Sequence, residues 1–317
     1  MKKVIPILKE RAIYVALIAL FIIFSCLSSD FLSPNNLINI ARQIAVLGIA
    51  SVGMTYVILI GGIDLSTGSI ITFVNIIAAY LMVNMGMNMW LAILIALLSS
   101  TAIGFLNGLL VANMNIPSLI VTFASQTIFE GFAYILSKGM PIFGFPKGFA
   151  TIGQGYVGFV PIPVIVMIVI FLIGGFILNK TYFGRYFYAL GGNETAAQMA
   201  GIRVKRVKYL IFSLSGLFAG IAGIIMLART NSGQPTAGKG YEFQVITAVA
   251  LGGVSLSGGS GKLSNVVAGV FIMGILKNGM VLLNISEYVQ MVVEGVILLL
   301  AVGFDCLQKR KLGYQNH

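Results

Sequence analysis

Apolar runs separated by short polar clusters repeat along the whole chain. They cover Ala12 to Leu27, Ile44 to Ile60, Ile70 to Val83, Met89 to Val111, Ser118 to Leu136, Pro161 to Leu178, Tyr209 to Ala228, Phe243 to Leu256, Leu263 to Leu283 and Tyr288 to Phe304. Most approach the ~20 residues a helix needs to cross hydrocarbon. The pattern predicts an all-α polytopic membrane protein with about ten transmembrane helices, in a single domain over residues 1–317. Between the first two runs, the amphipathic piece Leu37 to Gln43 is expected to lie along the outer surface.

Two runs are interrupted by glycine. Gly61-Gly62-Ile63-Asp64-Leu65-Ser66-Thr67-Gly68-Ser69 reappears as Gly252-Gly253-Val254-Ser255-Leu256-Ser257-Gly258-Gly259-Ser260, with six of nine positions identical. Irregular backbone at membrane depth survives only where protein or a water-filled cavity satisfies its polar groups. Paired breaks of this kind mark transport pathways. Duplication and the chance likeness of Gly-Ser-rich turns both account for the echo.

Composition agrees with the hydropathy pattern. Apolar residues make up 58% and charged residues 9% of the chain, with a mean hydropathy of +0.99; soluble domains carry about 25% charged residues. The net charge of +11 would suggest nucleic acid in a soluble protein. Here the charge lies mostly in loops, where it reports topology instead. Residues 1 to 11, the interval 179 to 208, the turn Ser257 to Lys262 and the tail Lys309-Arg310-Lys311 hold 14 of the 20 basic residues and alternate onto one side. By the positive-inside rule that side is the cytoplasm and both termini lie there. The first run lacks a small-x-small cleavage site and is expected to be a retained helix, not a signal peptide.

The chemistry available is sparse. Cys26 and Cys306 fall near opposite faces, and the one histidine is His317. No metal site, cofactor site or catalytic constellation can be assembled from them. Leu256 to Ser260 looks like the signature motif of ABC-type ATPases, and Gly261-Lys262 like a phosphate loop. The spacing fails, because Leu256 stands where glycine is needed and Leu263 follows the lysine. The chain itself is therefore not expected to bind ATP. Ionisable residues inside runs are costly. For Asp64, Glu130, Lys277 and Glu294, contact with a substrate or ion competes with pairing inside the bundle. Asp64, Ser66, Asn75 and Asn107 are the candidates for a translocation path. For the asparagines, Asn278 included, helix packing explains the residues equally well.

The longest polar interval, residues 179 to 208, holds six basic residues. Inside it Asn193 can cap a short helix running from Glu194 to Ala200 and stopping at Gly201. Glu194 in its first turn complements the helix dipole, and its alanines form a small-residue face. Glu194-Thr195-Ala196-Ala197 with Gly201 is similar to the E-A-A-x-x-x-G coupling motif of ABC importer permeases, with the spacing to the glycine one residue longer. Tyr188 to Glu194, Gly62 to Ser66, Gln234 to Glu242 and Tyr288 to Val292 are similar to the permease family for ribose, xylose, galactose and related sugars.

That resemblance implies an ATP-driven importer permease, carrying ribose or a related monosaccharide by alternating access in the bacterial cytoplasmic (inner) membrane. It implies three partners within the lipid and beside it: a cytoplasmic ABC ATPase subunit, a periplasmic or extracellular sugar-binding protein, and a second permease copy as a homodimer. Asn193, Glu194, Ala197 and Gly201 would make the ATPase contact, and hydrolysis would belong to the partner. A stand-alone secondary transporter or channel coupled to an ion gradient is the alternative, but it has no use for the large basic interval.

Overall fold

In the computed structural model the backbone is described for residues 4–313 and the side chains for residues 13–307. The order begins α1 (Val4–Leu27), α2 (Pro34–Leu59) and α3 (Ser66–Ala79), which continues as a π-helical turn over Tyr80–Asn84, followed by α4 (Met89–Asn113) and α5 (Ser118–Ser137). A long connection then carries α6 (Phe149–Gln154) and the hairpin β1 (Tyr156–Val157) and β2 (Val160–Pro161), paired antiparallel with Tyr156 opposite Pro161. The remainder is α7 (Ile162–Lys180), α8 (Tyr182–Gly192), α9 (Glu194–Met199), α10 (Val204–Thr230), α11 (Tyr241–Leu251), α12 (Leu263–Leu282) and α13 (Glu287–Gly313). Among the described residues, eight helices are long and apolar enough to cross a membrane, and two shorter apolar helices accompany them. The fold is all-α and polytopic.

The centre of the bundle is α2, α3 and α10, whose side chains are mostly buried, while α4, α5, α7 and α13 form its outside. In lipid no hydrophobic force pulls helices together, so close backbone packing has to do it. The seam between α4 and α10 shows how: any side chain at Gly104 would strike the Phe212 carbonyl oxygen, and one at Gly216 would strike that of Ser100.

Three expectations are corrected by the structure. Leu37 to Gln43 does not lie on the surface as a separate piece; α2 runs unbroken from Pro34 to Leu59. Ser33 caps it, Pro34 stands at its first position, and Asn36, Ile40 and Ile44 make one buried face. That face is locked by reciprocal amide hydrogen bonds, in which Asn36 Nδ2 donates to Asn278 Oδ1 (3.1 Å) and Asn278 Nδ2 donates to Asn36 Oδ1 (2.8 Å). Asn278 is thereby a packing residue. The run Phe243 to Leu256 is helical only to Leu251, because Gly252 caps α11 and Gly253 turns the chain with φ 76°. The interval 179 to 208 is mostly helix: α8 buries Gly184, Phe187 and Leu190, and α10 starts at Val204, so Lys205, Arg206 and Lys208 ride on its first turns. The side chains of Lys2, Lys3, Lys9, Arg11 and Lys309 to Lys311, on which part of the topology argument rests, lie outside the described residues.

Candidate coupling site and transport path

Helix α9 stands at one end of the bundle on a built mount. Asn193 is extended (φ −163°) and its Oδ1 accepts the Ala196 amide at 2.9 Å, which supplies the cap that Asn193 was expected to form. The helix is shorter than the sequence suggests, ending at Met199, and Gly201 (φ 84°) reverses the chain into α10. Ala197 packs inward and is buried, so it anchors α9 to its own chain. Glu194 is drawn down by Lys208, whose Nζ donates to Glu194 Oε1 at 2.7 Å. α9 presents Thr195, Ala196, Gln198 and Met199 outward, Met199 85% exposed, with the exposed Arg203, Lys205 and Arg206 close by in sequence.

Beneath α9 the two glycine-rich breaks meet, and this could not have been read from either one alone. The Gly259 amide donates to the Leu59 carbonyl at 2.8 Å, joining the turn after α11 to the end of α2. Gly191, at the end of α8, is pressed into the same spot: a methyl group there would run into the Leu59 carbonyl oxygen and the Gly259 nitrogen. A methyl on Gly258 would lie 2.7 Å from the Gly61 nitrogen and 3.1 Å from the Gly191 Cα. Tyr188 closes the node from α8, its hydroxyl donating to the Gly261 carbonyl at 2.9 Å. Burial raises the Tyr188 pKa further above the usual tyrosine value, so the donor keeps its proton. The end of α8 is therefore packed, backbone against backbone, on both breaks.

The first break leads to the start of α3, and the stretch 231–240 leads to the start of α11, whose far end runs into the second break; the N-termini of α3 and α11 lie close together, with Gly68 packed against Glu242. From Gly61 the chain rises without helix to Asp64, and α3 begins at Ser66. From Asn231 at the other end it descends along α3, where the Gln234 amide donates to Asn75 Oδ1 (2.9 Å) and the Gly238 amide to Thr72 Oγ1 (2.8 Å), before α11 begins at Tyr241. A carboxylate attends each start, which suits the partial positive charge of a helix N-terminus. Asp64 Oδ1 accepts the Ser66 amide at 3.0 Å and the Ser66 hydroxyl, and its Oδ2 accepts the Ser215 hydroxyl of α10 at 2.8 Å. Glu242 stands in the first turn of α11, where its Oε1 accepts Gln126 Nε2 of α5 at 3.0 Å.

Of the four path candidates, three are thus brought together: Asp64 holds Ser66, and Asn107 Nδ2 donates to Ser66 Oγ at 3.0 Å. Asn75 stands higher on α3, against Gln234. All four are buried within the single chain, with Asp64 1% exposed. Sequence reasoning passed over Ser215, Gln126 and Glu242. For Glu242 a signal existed, an acid two residues after Gly240 at the start of an apolar run; for the other two, generic polar residues inside long helices, there was none.

A model of the permease component of branched-chain amino acid transport systems matches residues 36–302. The chain belongs to this permease family. The ribose import permease protein RbsC of Bacillus subtilis (strain 168) is 42% identical over 301 residues, covering 94% of this chain and 93% of the relative. RbsC of Escherichia coli (strain K12) is 43% identical over 302 residues, with 94% of both chains covered. The L-arabinose transport system permease protein AraH of the same strain is 40% identical over 296 residues, 93% of this chain and 90% of AraH. No solved structure matches. The family consists of transport permeases and not enzymes, so the polar residues of this permease serve transport and not catalysis.

Proposed function

We propose that this permease is the membrane subunit of an ATP-driven sugar importer of the bacterial cytoplasmic membrane, carrying ribose or a related monosaccharide. It works as a homodimer with two cytoplasmic ABC ATPase subunits and an extracytoplasmic sugar-binding protein. Both termini and α9 face the cytoplasm. The observation that carries the reading is the mounting of α9: a capped helix with a bare Met199 tip, standing directly on the node where both chain breaks touch. Asn193, Glu194, Ala197 and Gly201 shape and hold the contact, and Met199 with its basic neighbours fills a cleft on the ATPase. ATP-driven closure of the ATPases moves α8 and α9, and the glycine node passes that movement to α3 and α11. Alternating access follows if the helix starts at Asp64 and Glu242 separate in one state and meet in the other. Asp64, Ser66, Asn75 and Asn107 then serve beside the path, as the polar linkage that keeps the irregular backbone satisfied.

Glu194→Lys tests the assignment, because it sets a second ammonium against Lys208 and pushes α9 off its mount. In proteoliposomes containing the ATPase and binding protein, ribose uptake and ATPase stimulation are expected to fall together. Uptake and assembly equal to those of the unaltered chain would sink the assigned role. Uptake that follows an ion gradient without any ATPase would establish the stand-alone transporter instead.

A further inference from the structure

Helices α7 and α12 both pack on α2 but touch each other only slightly, and the seam between them stays open as a groove of about 400 Å³. Met167, Phe171, Val267 and Phe271 make its apolar walls, and the exposed Leu172 marks the side on which it opens to hydrocarbon. Gly175 keeps it free: a methyl group there would meet only Asn179 Nδ2, 3.9 Å away. Along α7 the lining runs from Met167 to Asn179, about 18 Å of helix, close to the ~15 Å half-thickness of the hydrocarbon core. The end nearest α8 is polar. Asn179, Lys262 and Ser264 rim it, all exposed, and no acidic residue lines the groove. Lys180 and Arg185 follow Asn179 in the chain, are exposed and make no ion pair among the described residues. At the same level the exposed Tyr182 lies beside Phe183 and Tyr186, with ring centroids 4.1 and 5.6 Å away; such amphipathic rings belong at the lipid headgroups.

An empty groove in hydrocarbon forfeits dispersion contacts along both walls, so a lipid chain fills it. A basic rim between crossing helices then selects the head that this chain carries. We propose that the groove seats an acyl chain of an anionic phospholipid of the cytoplasmic leaflet, its phosphate held among Lys180, Lys262 and Ser264, and that this lipid braces the corner where α7, α8 and α12 meet. The choice of leaflet rests on the importer reading above. Phospholipid is the occupant that fits, because the walls are apolar over one leaflet's depth and the positive charge stands at one end only. The groove between α4 and α7, about 500 Å³, is the contrast: no charged residue lines it, so it has no means of choosing a headgroup. The brace bears on the glycine node. Lys262 directly follows Gly261, whose carbonyl accepts the Tyr188 hydroxyl, and α8 is pressed onto the end of α7, where a methyl at Gly184 would strike the Leu178 carbonyl oxygen.

Native mass spectrometry of the detergent-purified permease, with no ATPase present, tests the site. Phosphatidylglycerol is expected to bind as a single molecule per chain, about 10-fold more tightly than phosphatidylcholine. Gly175→Leu fills the groove without meeting backbone and is expected to lose that molecule, whereas Leu98→Phe on the exposed face of α4 keeps it. The double variant Lys180→Gln, Lys262→Gln leaves the groove open and is expected to bind the two lipids equally. Saturating phosphatidylglycerol is expected to raise the melting temperature of the unaltered chain but not that of Gly175→Leu. Equal affinity of the unaltered chain for both lipids, undiminished binding by Gly175→Leu, or the same melting shift in both chains would overturn the proposal. Selective lipid binding without ATP-driven sugar uptake in proteoliposomes removes the importer reading and leaves the lipid site standing. Uptake without selective binding removes the lipid site alone.

Discussion

Gly191→Ala is the sharpest test of the glycine node. The added methyl would meet backbone on both sides, at Leu59 and Gly259, with the Leu59 carbonyl carbon 3.0 Å away, so no flexible side chain can yield to it. The end of α8 has to shift, and the Gly259 to Leu59 hydrogen bond opens with it. Overpacking of this kind costs about 1–3 kcal/mol, and the lost hydrogen bond adds about 1 kcal/mol. A penalty of about 2–4 kcal/mol corresponds to roughly a 30- to 1,000-fold shift away from the docked arrangement. Gly192→Ala is the matched control, because nothing lies within 4 Å of a methyl there, and its effect is expected to stay within about 0.5 kcal/mol. Thermal melting of the detergent-purified permease reads the penalty. In proteoliposomes, Gly191→Ala is expected to lower sugar uptake per ATP hydrolysed, whereas Gly192→Ala is not. Equal melting and equal coupling in the two variants would refute the claim that the node transmits movement.

Other sites respond differently. Met199→Asp alters a residue that touches little of its own chain, so the melting temperature of the permease should be unchanged while co-purification of the ATPase is lost. Asp64→Ala leaves the Ser66 amide, the Ser66 hydroxyl and the Ser215 hydroxyl without their acceptor; a loss of about 2–5 kcal/mol should show as poor yield of folded protein, with Asp64→Asn retaining more of it. Asn278→Ala leaves Asn36 Oδ1 without its donor, while Asn36 Nδ2 keeps the Phe31 carbonyl, and should cost about 1–2 kcal/mol; converting both residues to leucine should cost less than the single change, as measured by melting. Glu194→Gln keeps the helix but weakens the pair with Lys208, which is half-exposed on the glutamate side; the expected loss is under about 1 kcal/mol, and the difference from the unaltered chain should shrink in high salt.

Much of this architecture is encoded locally. Apolar runs mark the crossing helices because each must satisfy its own backbone in hydrocarbon. Asn193 announces α9 because a cap acts over three residues. The limits of local reading also show: the amphipathic piece Leu37 to Gln43 looked like a surface piece, but it is part of α2, whose Asn36, Ile40 and Ile44 face is buried and bonds to α12 through Asn278. Hydropathy says that a segment prefers lipid to water, yet in lipid every apolar face is equally content, so it does not say which face turns inward. That choice is made by contacts between residues far apart in the chain. Ser215 reaches Asp64 across 151 positions and Gln126 reaches Glu242 across 116. Sequence therefore determined the kind of the pieces, apolar helices in an all-α membrane bundle, together with the basic interval and the two glycine-rich segments. Only the tertiary structure decided that both breaks meet Gly191 beneath α9, because backbone packed against backbone at three glycines has no signature in any one segment.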